Sequence, residues 1–238
     1  MHRELKLKLE HKIIHHLLLR SSLGKKEIGL YHGKMGLVLF FAHYYRHTGV
    51  GVYDDTAGEL MDELKKEIHT GTSVGFASGL SGVGWGVEYL IQNGFAAADS
   101  LAVCEEIDKK IMERDPCRIT DYSLDTGLEG VLTYVLAHIK GVMSQHSKAP
   151  FDETYLGDLY RAVTTIPQDA ELSENFTLLR SKFLGFYEKG TDFDYTMSLL
   201  PIIEDVTVTK ENLNDFPLGL KNGLSGFLLK KLLIENRL

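Results

Sequence analysis

Residues Gly75–Gly86 read GFASGLSGVGWG, a stretch with five glycines and the only tryptophan of the chain, Trp85. A phosphate cradle would need GxxxxGK[ST], and a dinucleotide site would need GxGxxG between a strand and a helix. Gly79, Gly82, Gly84 and Gly86 fit neither spacing, no lysine follows them, and no β-branched run precedes them. The pattern instead recurs along the chain, as GLYHGKMGLVLFFAHY from Gly29, SLDTGLEGVLTYVLAHI from Ser123 and GLKNGLSGFLLKKLL from Gly219. Each copy is GxxG followed by an apolar helical run: Gly33/Gly36, Gly79/Gly82, Gly127/Gly130 and Gly223/Gly226. The first three copies are spaced by 46 and 48 residues (33 to 79, 79 to 127), and the last follows after 96 (127 to 223). A doubled gap predicts a degenerate copy near Asn175, where NFTLLRSKFLGFY keeps the apolar period without the glycine pair. Periods of this size mark stacked supersecondary units.

Amphipathic segments lie between the glycine units. Asp54–Thr70 carries Leu60, Leu64 and Ile68 on one stripe, with acids early and lysines late as the helix dipole favours. Ala97–Arg114 places Leu101, Cys104, Ile107, Asp108 and Ile111 on one face, and Phe151–Ile166 repeats the design. EHKIIHHLLLRSS, Glu10–Ser22, is a fourth such helix, and Tyr195–Ile203, cut by Pro201, a weaker fifth. The glycine-led helices are apolar nearly all round and belong to a buried layer, with the amphipathic ones outside them. The pattern predicts an all-α chain, one domain over residues 1–238, built as an α/α toroid of about five helical hairpins with inner and outer layers. An open solenoid is the competing arrangement. Glycine at the inner-helix entrance is expected to permit close helix approach and positive φ.

The chain of 238 residues is 44% hydrophobic and 25% charged, enough for one sizeable core. A formal net charge of -7 argues against a nucleic-acid partner, whose binding rests on basic surface. Two cysteines, Cys104 and Cys117, make no disulfide framework. The N-terminal apolar runs are too short for a secretory core or a membrane span. A cytoplasmic protein without membrane insertion is the expectation.

GLYHGKMGLVLFFAHYYRHTG and GFASGLSGVGWGVEYL resemble the first two repeats of lanthionine synthetase C-like proteins, DYSLDTGLEGVLTYVL the third, and PLGLKNGLSGFLL a later one. The resemblance implies a double-layered α/α toroid with a central cavity. It also implies zinc held by two cysteines and one histidine, activating a peptide cysteine for addition to a dehydrated Ser or Thr. The sequence departs from the family at those ligands. Its nearest match to the family's Cys-His-Gly is Tyr31-His32-Gly33, in the first repeat, and the acidic residue usual before the third-repeat glycine falls on Ser123. Cys104 lies in a predicted outer helix and Cys117 in the loop after it. No metal and no cofactor are therefore assigned.

The entry loops are expected to line one mouth of the ring, with Tyr31, His32, Lys34, Ser78, Ser81, Asp125, Glu129 and Asn222 as ligand-binding candidates. Thr126, Lys221 and Ser225 share these loops. His32 reads as a general acid/base or as a helix-entry residue bonded to a backbone carbonyl. Asp125 and Glu129 read as a catalytic carboxylate pair, or as a capping box, Thr126xxGlu129, with helix-start electrostatics. His11, His15 and His16 include an i, i+4 pair able to bind a metal or read as a solvated or partly packed face, Trp85 reads as core rather than a stacking platform, the Phe40, Phe41, Tyr44, Tyr45 set as core, and His43, His47, His69, His138 and His146 as scattered. The favoured function is a degenerate or accessory cyclase that binds a peptide substrate or a modification-enzyme partner. A carbohydrate-active toroid enzyme and a non-catalytic interaction scaffold are the alternatives.

Overall fold

The computed structural model describes residues 2–21, 27–69, 71–145 and 149–235. Ser22, Thr70 and His146, named above, lie outside the described residues. Nine α-helices and one short 3-10 turn account for the regular structure, and no strand occurs among the described residues. The helices are α1 (His2–Ser21), α2 (Lys34–Thr48), α3 (Gly51–Glu67), α4 (Leu80–Gln92), α5 (Ser100–Met112), α6 (Leu128–Met143), α7 (Glu153–Thr164), α8 (Glu174–Lys189) and α9 (Leu224–Glu235). The fold is all-α and of the α/α toroid class. None of the described helices is long and apolar enough to cross a membrane.

Each glycine unit opens a helix: Gly33 precedes α2, Gly79 α4, Gly127 α6 and Gly223 α9. These helices carry the buried layer, and α4 and α6 bury almost every side chain. The amphipathic segments form α3, α5 and α7, which bury one stripe each. Asp99 and Asp152 cap α5 and α7, accepting from backbone N–H groups of the first turn. The segment around Asn175, expected as a degenerate copy, forms α8, which is capped by the Ser173 side chain and buries one stripe, Phe176, Leu179 and Phe183. Such caps are worth about 1 kcal/mol each.

Ten helices were expected, and the tenth does not form. Residues 190–223 contain no helix, so the segment around Tyr195–Ile203 is irregular. Pro201 and Pro217 remove backbone donors, and Val206–Thr209 alternates β-branched side chains that disfavour helix. Side chains anchor it instead: the Tyr195 hydroxyl donates to the Thr133 carbonyl at 3.0 Å and accepts from the Trp85 indole at 3.2 Å.

The reason for glycine also differs from expectation. Gly33, Gly79 and Gly127 have negative φ. Positive φ occurs at Gly49, Gly94 and Gly190, at or just beyond helix C-termini. At the four entrances the loop folds back onto its own helix, because the N–H after each glycine donates to a carbonyl seven residues earlier. Lys34 donates to Glu27, Leu80 to Ser73, Leu128 to Asp121 and Leu224 to Pro217, at 2.8–2.9 Å. A Cβ on Gly33, Gly79, Gly127 or Gly223 would lie within 3.0 Å of that loop's backbone.

The chain divides into two compact units, one of residues 1–69 with 198–238 and one of 70–197. In the second unit the entry loops before α4 and α6 meet, and Ala77 N donates to Asp125 O at 2.9 Å. In the first unit the loops before α9 and α2 meet in the same register, with Leu220 N and Lys221 N donating to Tyr31 O at 2.7 and 3.1 Å. The last glycine unit is thus the direct neighbour of the first. The N-terminal α1 then packs on α9, joined by the ion pair Glu10–Lys231.

Candidate functional site

The entry-loop candidates divide into exposed and structural residues. Ser78 and His32 are exposed, and Asp125 and Asn222 are half-buried. Asp125 faces the second loop through its backbone carbonyl, and Asn222 follows Lys221, whose ammonium stands 4.5 Å from the Tyr31 ring centre. A groove of about 520 Å³ opens beside the second loop, lined by Ser73, Val74, Glu113, Arg114, Asp115, Arg118 and Ile119.

The other candidates are taken up by packing. Tyr31 is buried, and its carbonyl holds the last loop. Lys34 is buried between Glu63 and Glu67 of α3, each at 2.8 Å; burial works against its charge, but the two carboxylates outweigh burial and raise its pKa. Ser81 is fully buried, and its hydroxyl has no hydrogen-bond partner among the described residues. Glu129 is buried too, accepting from the Ser173 hydroxyl at 2.9 Å and the Asn175 amide at 2.7 Å. The capping box does not form: Gly127 is the N-cap without a side-chain bond, and the Thr126 hydroxyl donates to Asp121. Glu129 ties α6 to the start of α8 and does not form a carboxylate pair with Asp125.

A second set of polar residues converges where the sequence reading saw no cluster. His138, on α6, is fully buried between two carboxylates, with Nδ1 2.6 Å from Glu88 Oε1 of α4 and Nε2 2.8 Å from Asp108 Oδ2 of α5. Each helix contributes residues one turn apart: Glu88 and Gln92, then Ser100, Cys104 and Asp108, then Tyr134 and His138. Gln92 donates to Glu88 Oε2 at 2.6 Å, Ser100 donates to Glu88 Oε1, and the Tyr134 hydroxyl donates to Asp108 Oδ1 at 2.6 Å. Glycine makes the room. A Cβ on Gly84 would strike the Tyr134 ring, and one on Gly141 would strike Glu88 and Gln92.

The electrostatics follow from that enclosure. Burial disfavours a charged imidazole, but the hydrogen bonds and charges of Asp108 and Glu88 outweigh it and raise the His138 pKa to about 9. Burial raises the Asp108 pKa against the opposing pull of His138 and Tyr134. The Cys104 thiol is pushed well up, by burial first and then by the two carboxylates, so it is a thiol and not a nucleophile in this state. The signal for this set was present in the sequence as charged residues inside apolar runs, Glu88 in VGWGVEYL and His138 in VLAHI, with Asp108 on an apolar stripe. Leu101, read into that stripe, is exposed, and Ser100 takes the inward position.

The catalytic zinc implied by the family resemblance, held by two cysteines and one histidine, does not fit these residues. Cys104 is buried on the inner face of α5, whereas Cys117 is exposed and its Sγ donates to the Asp158 carbonyl at 3.3 Å. A catalytic zinc needs three converging ligands and an open fourth position. Among the described residues the one metal-competent grouping is Glu88, Cys104 and His138, all buried, with no second cysteine.

No curated protein matches the chain. The model of the family described as lanthionine synthetase C-like protein matches residues 24–167, more than half of the sequence and three of its four glycine units. The chain belongs to the lanthionine synthetase C-like family.

Proposed function

We propose that this chain recognises a peptide through its helix-entry loops, as an accessory or degenerate cyclase in ribosomal-peptide modification, without activating a thiol on zinc. The observation that carries the reading is the pairing of entry loops in one register, second with third and last with first. That pairing sets Ser78 and Asp125 on adjoining loops, and His32 and Asn222 on the other adjoining two. The groove beside Ser73 and Arg118 adds a polar, charged wall suited to an extended chain.

The carbohydrate reading loses its chemistry at Glu129, whose two carboxylate oxygens are held by Ser173 and Asn175. Acid and base roles need a carboxylate free to meet substrate. Glu88 is likewise engaged by His138, Ser100 and Gln92.

The test is fluorescence anisotropy with a panel of labelled, unstructured peptides containing Cys, Ser and Thr. Saturable binding that weakens at least about tenfold in Asp125→Ala and Asn222→Ala is expected, the scale of one or two lost polar contacts. Zinc-dependent thioether formation on a dehydrated peptide would refute the non-catalytic part. Absence of binding to any panel member would refute peptide recognition.

A further inference from the structure

We infer that Glu88, Cys104 and His138 form a closed structural site for a zinc-type divalent cation, separate from the entry loops and from any catalytic role. One ligand atom from each residue lies within 4.8 Å of the others, and each comes from a different helix: α4, α5 and α6. Bond lengths of about 2.0–2.3 Å to N, O and S place tetrahedral ligands about 3.3–3.7 Å apart. Closing onto an ion therefore shortens separations of up to 4.8 Å by up to about 1.5 Å and opens the 2.6 Å Glu88 to His138 contact by about 0.7 Å. Carboxylate, thiolate and imidazole together are a zinc donor set, and hard-oxygen sites for magnesium or calcium do not use thiolate.

The surroundings supply what a metal-ligating histidine ordinarily has. His138 Nε2 is held by Asp108, which is itself held by the Tyr134 hydroxyl; this fixes the ring and leaves Nδ1 turned toward Glu88. A carboxylate on the far nitrogen is the usual outer partner of such a ligand. Gln92 holds the other Glu88 oxygen and is anchored to the Ala137 carbonyl at 2.9 Å. Ser100 Oγ, 3.3 Å from His138 Nδ1, is bonded to Glu88.

A divalent cation here would meet the carboxylates of Glu88 and Asp108, which lie together in the interior on either side of His138. Because the site is sealed, loading accompanies folding.

The inference stands independently of the peptide reading, and its test reads metal and not peptide. Full-length protein, and a Cys117→Ala variant in which Cys104 is the sole thiol, are refolded from guanidinium with Co²⁺ and dialysed. One Co²⁺ per chain, with a thiolate-to-cobalt charge-transfer band displaced by Zn²⁺, is expected in both. Cys104→Ala should lose the band and the bound metal, and Asp108→Asn should weaken affinity about 10–100-fold. If Cys104→Ala fails to refold, Cys104→Ser, which keeps the volume, serves in its place. Absence of the band in the Cys117→Ala protein would overturn the inference. So would metal retained undiminished without the Cys104 thiol, which marks an adventitious ion bound elsewhere.

Discussion

At the scale of the residue, His138 has the largest energetic consequences. Its imidazolium stands between Glu88 and Asp108, and the three side chains are 0–4% exposed. Removing it leaves two buried carboxylates facing an empty space, and breaking such an arrangement costs about 3–5 kcal/mol. His138→Ala should therefore show that loss in urea unfolding. The folded pKa, about 9, lies above the unfolded value of 6.5. In metal-free protein the stabilisation from this group is accordingly complete below pH 6.5 and is lost as pH rises towards 9. Unfolding midpoints measured at pH 6, 7.5 and 9 should fall in that order for the wild type, and His138→Ala should flatten the trend. Glycine gives a second residue-scale prediction. Gly141→Ala drives a methyl into Glu88 and Gln92, and overpacking of this kind costs about 1–3 kcal/mol.

Elements were read from the sequence more securely than the contacts between them. Local signals mark helix starts, so GxxG before an apolar run located α2, α4, α6 and α9. The failure at Tyr195–Ile203 has a local cause too, since apolar content there is compatible with a packed irregular segment held by Tyr195. The buried cluster was harder to see because its members are 50 residues apart at the widest, Glu88 to His138, and only helix packing brings them together. Of the eight entry-loop candidates, Lys34 and Glu129 look like site residues by type, yet they tie neighbouring helices, a difference that depends on partners in other repeats. The account of the entrance glycines predicts a contrast between positions. Gly79→Ala and Gly127→Ala, which meet their own loops, should destabilise by about 2 kcal/mol or more, the range of backbone displacement and strain. Gly58→Ala, in exposed mid-helix α3 with nothing within 4 Å of a new Cβ, should stabilise by about 0.4–1 kcal/mol. Thermal melts of the three variants check both signs together.

For the whole molecule, the central claim is that the first and last glycine units are joined as the second and third are. Within the unit of residues 1–69 and 198–238, α9 packs on α2, and the N-terminal α1 supplies the outer partner for α9. Chain ends that complete one another's packing make stability depend on both. Deleting residues 1–21 should uncover α9 and lower the melting temperature far more than removal of an exposed terminus would. The most direct measurement is native-state hydrogen exchange by NMR at single-amide resolution. Ala77 N–H, bonded to Asp125, and Leu220 and Lys221 N–H, bonded to Tyr31, occupy matching loop bridges. All three amides should be protected, with Leu220 slowed by a factor similar to that of Ala77. Protection at Ala77 alongside unprotected exchange at Leu220 and Lys221 would contradict the joining of the last unit to the first.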